Sequence, residues 1–378
     1  MFVESDPIGL SSEVAAQLKK TIHRLIEGDF REKWEAVKRF AGIGPEAIAA
    51  LTPLLEDEEQ DWEVRWFAAR AIGQFGHPEA LKALVQFVQK TKEAELVAIA
   101  AEGLSQFGER GVNTLVQLLK QPAHQLTAVQ ALASIQHPSV YRPLMAVAQS
   151  AQNEPAIRAT ALIALSNFRH AQVDDLLLEL ARDPHVAVRR EAIVHLGMRP
   201  HLLDQVDLIN LLLPGLWDAH FKVSQATAIA LGRLGTETAV TALAEAMTAP
   251  HVTESLQFTM IHSLGWIERE SALMTLLNLL EQLSISLQTE IVETISRFQT
   301  PYLRQQAGKG LYDWLENSDW AADDALPTPQ KCQFRAAIAL ALGNLQYQPA
   351  ASILQQLQAT SDPQTRLYAE AALRQLAR

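Results

Sequence analysis

The chain has 378 residues, of which 48% are apolar and 20% charged, and 43 Asp plus Glu outweigh 32 Lys plus Arg to leave a formal net charge of -11. That much apolar material supplies a core and excludes wholesale disorder, and the acidic balance disfavours nucleic acid, whose phosphates are bound by Lys and Arg clusters. The opening stretch MFVESDPIGL lacks the basic and apolar regions of a signal peptide, no apolar run approaches the ~20 residues that span a bilayer, and the single Cys332 can form neither an internal disulfide nor a multi-thiolate zinc site.

In chain order, one phrase returns throughout: Arg, then Ala three or so residues on, then Leu, a small residue and a second apolar residue, as in VRWFAARAIGQFG, IRATALIALSNF and FRAAIALALGNL. Aligned on a common closing position, the copies end at 44, 76, 108, 136, 169, 200, 235, 268, 299, 346 and 377, a period near 32 with one insertion in the second-last gap. Four residues before these marks stand Phe40, Ile72, Leu104, Leu132, Leu165, Leu196, Leu231, Leu264, Ile295, Leu342 and Leu373. Eight before, seven copies carry Ala (Ala36, Ala68, Ala100, Ala128, Ala161, Ala192, Ala369), so these positions share one helical face. One before the mark the residue is apolar in every copy but one, where Arg199 stands. Three before it the residue is small in ten copies. Small side chains at a fixed point let a neighbouring helix approach closely.

The other half of each unit reads as a second amphipathic helix, as in PEALKALVQFVQK (78–90) and TAVTALAEAMT (238–248), with Pro78, Pro138 and Pro143 near helix starts, where a missing N–H costs little. Each unit is therefore helix A, a turn, helix B and another turn. A hairpin of this size cannot bury its apolar face alone, but a stack of them forms a continuous core. The expectation is an all-α solenoid of about eleven hairpins forming one domain over 1–378, with an A to B turn insertion near 316–330.

Carried by the phrase DPHVAVRREAIVHLG (183–197), the chain resembles the HEAT repeat and, within it, the short HEAT-like repeat of phycobilisome lyases. The resemblance implies a right-handed superhelix whose helix B side presents the concave surface. It also implies a ladder in which an Asp of the A to B turn and an Arg six residues later link neighbouring repeats. Asp183 with Arg189 matches that pattern, Glu59 with Arg65 and Glu27 with Lys33 match it with changed residue types, and Arg158, Arg335 and Arg366 keep the base alone.

No histidine is followed by Glu, and no Walker loop, G-x-G-x-x-G, G-x-S-x-G or H-E-x-x-H is present, so no catalytic residue, metal or cofactor is assigned. Histidines 77, 137, 170 and 201 each follow a mark by one residue, but repeats ~10 Å apart cannot bring four imidazoles to one ion. Cys332 opens a helix B, a place where a thiol pKa falls. The tryptophans are more informative. Trp34 and Trp66 share a position in adjacent repeats, with Lys38 and Arg70 four residues on; Trp266 lies between Arg233 and Arg297 at an otherwise polar position; and Trp314 and Trp320 sit in the acidic stretch YDWLENSDWAADDALPTP (312–329), which like EDEEQDWEVRW (56–66) reads as an A to B turn. These residues are the candidate protein-binding positions. The expected role is a non-catalytic protein-binding scaffold or assembly factor in the cytoplasm, with another protein as partner and no membrane insertion. The lyase resemblance implies an alternative, a phycobilin lyase or chaperone-like factor acting on phycobiliproteins in a cyanobacterium. An alkylated-base glycosylase built on HEAT-like repeats is a third possibility, opposed by the acidic balance.

Overall fold

A computed structural model describes residues 12–135, 137–317 and 328–377. Among these, every regular element is a helix, and 22 α-helices follow one another as eleven pairs. The chain divides into two compact units, Met1–Leu176 and Leu177–Arg378.

The first unit holds α1 (Ser12–Glu27), α2 (Phe30–Ile43), α3 (Glu46–Glu56), α4 (Trp62–Gly73), α5 (Pro78–Lys90), α6 (Ala94–Ser105), α7 (Glu109–Leu118), α8 (Gln125–Ala133), α9 (Tyr141–Gln149) and α10 (Pro155–Leu165). The division falls within α11 (Ala171–Leu180). The second unit continues with α12 (Val186–Leu196), α13 (Leu208–Leu212), α14 (Phe221–Leu234), α15 (Glu237–Met247), α16 (Glu254–Trp266), α17 (Glu270–Leu279), α18 (Ile285–Ile295), α19 (Pro301–Asn317), α20 (Pro329–Leu345), α21 (Ala351–Gln358) and α22 (Pro363–Leu376). Within each unit an odd-numbered helix A packs on the even-numbered helix B that follows it, and successive B helices pack on one another, as α2 on α4, α4 on α6, α14 on α16 and α16 on α18.

The periodic positions are the core. The Ala eight before each mark is fully buried in all seven copies, and so are Phe40, Ile72, Leu104, Leu132, Leu165, Leu196, Leu231, Leu264, Ile295 and Leu342; only Leu373, in the last pair, is half-buried. Small residues act as the spacing demands. A Cβ on Gly73 would lie 2.8 Å from the Cα of Gly103 on the next helix B, so any side chain there would push α4 and α6 apart. Arg199, the exception at an apolar position, is nonetheless only 2% exposed.

Helix starts follow local chemistry. Asp29 caps α2 in a capping box with Glu32, Asp61 accepts from the Glu63 N–H, and Pro78 occupies the first turn of α5. One helix A is interrupted: α13 gives way after Leu212 to a 3₁₀ segment, Leu213–Trp217, where Pro214 removes a backbone donor. At the expected insertion, α19 runs on to Asn317 and α20 begins at Pro329, so both described ends of that stretch are helical; Trp320 lies outside the described residues.

Candidate functional site

The charged ladder is the first feature the repeats build. Each base sits eleven residues before its mark, and bases at this position make two kinds of contact. One is to an orphan carbonyl at the end of the preceding helix A: Arg65 Nε donates to the Leu55 carbonyl at 3.3 Å, and Arg158 Nε to that of Ala148 at 2.8 Å. The other is to the following repeat. Lys33 pairs with Glu63, Arg65 with Glu93 at 2.9 Å, and Arg189 with Asp218 through two parallel bonds of 2.7 and 2.9 Å. The carboxylates these bases reach are thus one repeat later than Glu27, Glu59 and Asp183. Asp183 instead supplies its backbone carbonyl to Arg189 at 2.6 Å, while its carboxylate accepts the His185 N–H at 2.8 Å. The reason is geometric: from the fourth residue of helix B the base points across the stack, where the next repeat presents its acid, in the turn for Glu93 and Asp218 and at the start of α4 for Glu63.

The hydrogen bonds from Arg189 hold the Asp218 carboxyl below the usual aspartate range against the opposing effect of burial, and the same bonds raise Arg189. Elsewhere the base is replaced by glutamine, which no Arg-based pattern finds: Gln257 donates to the Met247 carbonyl at 2.7 Å and Gln288 to that of Leu280 at 2.6 Å.

The helix B side carries the aromatic residues. In the first unit Arg70 lies between two indoles, 4.8 Å from the Trp34 ring centre and 5.5 Å from that of Trp66. Phe30 stacks on Trp34 at 6.2 Å, and Phe67 meets Trp34 and Trp66 edge-on at 6.1 and 5.1 Å. The two indoles and Arg70 are half-buried, Phe67 is buried and Phe30 is exposed. Arg70 also reaches Glu102 on α6 at 3.5 Å. Trp34, Trp66 and Arg70 thus come together on a floor formed by Phe67; the part played by Phe67 and by the exposed Phe30 was not evident, because Phe67 faces the core and Phe30 opens its helix.

In the second unit Trp266 is 55% exposed at the end of α16, and Arg233 and Arg297, at the equivalent positions on either side, are exposed. Arg297 pairs with Glu293 one turn back at 3.4 Å. Behind this face, His195 is buried with neither ring nitrogen hydrogen-bonded among the described residues. Burial, reinforced by the Arg199 and Arg233 cations, pushes its imidazole down to about 4. Trp314 does not stand on a turn: it lies in α19, half-buried, edge-on to Phe334 at 5.9 Å.

The remaining candidates have structural explanations. His77, His137 and His170 accept the N–H two residues ahead through Nδ1, at 3.4, 3.2 and 3.2 Å, so they cap helical turns. Among the described residues no three His, Cys, Asp or Glu side chains are grouped to hold a metal ion. The Cys332 thiol is raised, contrary to the expectation from its helix N-terminus, because burial and the nearby Asp362 carboxylate both disfavour the thiolate. No described helix is long and apolar enough to cross a membrane.

Paired helices, in-register B helices and an inter-repeat ladder define an α-solenoid repeat protein. Residues 18–105, 112–197 and 173–255 match the family model of HEAT repeats, more than half of the chain, and the protein belongs to the HEAT-repeat family. The match is to HEAT repeats in general and gives no support to a phycobilisome-lyase subgroup. No curated protein matches. Among solved structures, Kap95p in a complex with RanGDP aligns with a TM-score of 0.65 at 12% identity, over 97% of this chain and 56% of that one. The karyopherin Kap121p aligns at 0.59 and 15% identity, over 99% of this chain and 46% of that one, and importin beta at 0.58 and 12%, over 97% and 59%. The chain thus spans about half the length of these structures, and the likeness is one of fold.

Proposed function

We propose that the protein is a non-catalytic scaffold or assembly factor that binds another protein along the exposed face of its B helices. One observation carries this reading. Large apolar side chains stay open to solvent on that face: Leu126 (43%), Ile163 (48%), Met198 (45%), Trp266 (55%) and Leu340 (40%). They stand two, six or ten residues before their repeat marks, places four apart that fall on the stripe opposite the buried Ala and Leu positions. A stack that had only to bury its core would carry polar residues there, and exposed aromatic and Met side chains beside arginine have the composition of interface anchors. The structural neighbours support the reading to the extent that Kap121p is found bound to the extreme C-terminus of the protein phosphatase Cdc14p, and Kap95p to RanGDP. No observation favours a bilin lyase over this reading.

The test uses the full chain as bait in lysate of its source, with Trp266→Ala and the pair Trp34→Ala, Trp66→Ala alongside. A stoichiometric protein complex that is retained by the wild type and reduced by Trp266→Ala is expected, and any loss with the Trp34 and Trp66 pair is read against the unfolding midpoint of that variant. No complex, or one indifferent to both variants, contradicts the reading.

A further inference from the structure

At or just past the C-terminal ends of four successive B helices in the second unit, one residue each stands at the same register, two before the repeat mark: Met198, Arg233, Trp266 and Arg297. All four are exposed. Their alignment is secured from behind. A Cβ on Gly197 would fall 2.7 Å from the Cα of Ala230, one on Gly232 would fall 2.8 Å from the Cβ of Ser263, and one on Gly265 would collide with the Thr294 side chain. The residue three before the mark therefore meets the residue five before the next mark at each of three consecutive contacts, which holds the neighbouring exposed residues at one register from α12 through α14 and α16 to α18. One turn back on the same helices lie Val194, Ile229, His262 and Glu293, all half-buried, so the row is bordered by apolar surface beside Met198 and Arg233 and by polar groups beside Trp266 and Arg297.

The row alternates apolar, cationic, aromatic, cationic. In a chain of net charge -11 the row itself carries two cations and no acid. Arg233 makes no ion pair among the described residues, and the Arg297 to Glu293 pair is an exposed one of the kind that contributes little and exchanges readily. Packed helices lie ~10 Å apart, and an extended chain advances roughly 3.3–3.6 Å per residue, so one helix step corresponds to about three residues of a bound strand.

We propose that this row binds an extended, acidic segment of the partner protein, with apolar and acidic residues alternating at every third position: apolar over Met198, acid over Arg233, apolar against Trp266, acid over Arg297. The inference rests on the scaffold reading and adds a chemistry and a register to it. Nucleic acid would satisfy the arginines but leave Met198, Val194 and Ile229 uncovered by anything apolar.

The experiment is fluorescence anisotropy on the full chain with a dye-labelled synthetic peptide of about ten residues, the length that crosses four helices. It carries leucine and aspartate in alternation at every third position on a glycine–serine background. Saturable binding is expected, weakened roughly tenfold or more by Arg233→Glu with Arg297→Glu, since like charges would then face each other. A matched peptide with lysine for aspartate should prefer the double variant to the wild type. A peptide of equal composition with its four residues at every second position should bind several-fold more weakly. The proposal is overturned if the peptide does not bind, if the charge reversal leaves its affinity unchanged, or if an oligothymidylate binds the wild type more tightly. Should a protein complex depend on Trp266 while the peptide fails, the charge and register assignment falls and the scaffold reading stands. If neither complex nor peptide is retained, both fall.

Discussion

The helix B faces of the two units use tryptophan in opposite ways. In the first, Trp34 and Trp66 close around Arg70 and rest on Phe67, so most of the possible contacts of the cation and the rings are made within the unit. In the second, Trp266 projects from the end of its helix with more than half its surface in solvent. The two patches have the same composition, Trp with Arg, and would be ranked alike on composition alone. Their exposure separates a cluster that contributes to folding from a side chain whose contacts are left to be made.

The largest expected effect that sharpens this contrast concerns His195, behind the second face. A buried histidine lowered to about 4 is held neutral in the fold but protonates near its ordinary value of about 6.5 once unfolded. Its contribution is therefore fully present above pH ~6.5 and is lost as pH falls from there through the native value, a difference of roughly 3 kcal/mol. Chemical denaturation between pH 7 and 4 should show this acid limb, and His195→Leu should flatten it; an unchanged limb would mean that the imidazole is solvated.

Next comes Trp66→Ala, which removes a half-buried ring from Phe67 and Arg70 and should cost about 2 kcal/mol, below the range for fully buried aromatics. Arg189→Ala should cost about 1–2 kcal/mol, because the pair with Asp218 is only partly buried. Its share is present above the ordinary aspartate pKa of about 3.9 and is lost as pH falls below that value through the depressed native one. A double-mutant cycle with Asp218→Ala measures the coupling, and a coupling near zero would remove the ladder from the account. The smallest effect is expected from Trp266→Ala, within about 0.5 kcal/mol of the wild type, as for surface positions in general.

Much of the fold was legible because the repeat states one packing problem eleven times. The Ala and Leu positions and the small residue between them recur at spacings that only a helical face satisfies, and the structure buries them accordingly. The ladder was legible in its bases and not in its acids. Arg189 and Arg65 announce themselves by position, whereas Asp218 and Glu93 lie in turns of varying length, so no constant spacing marks them. Glutamine standing in at positions 257 and 288 breaks the charge pattern while keeping the hydrogen bond to the end of helix A. At the candidate face, spacing sets Trp34 and Trp66 at one position of adjacent repeats, but it could not tell a ring that closes on its neighbours from one that stays open. That depends on what fills the next repeat: Phe67 and Arg70 are within reach of Trp34 and Trp66, while the positions flanking Trp266 hold long cations that extend into solvent. Trp314 was misplaced for a related reason, since its acidic surroundings read as a turn although α19 continues to Asn317.

One paired measurement addresses the central contrast most directly: urea unfolding and partner capture, both made on full-length Trp66→Ala and Trp266→Ala beside the wild type. The account predicts that Trp66→Ala shifts the unfolding midpoint, whereas Trp266→Ala leaves the midpoint in place and releases the partner. If Trp266→Ala unfolds as readily as Trp66→Ala, or keeps the partner at wild-type level, the open row on the second unit is not a binding surface.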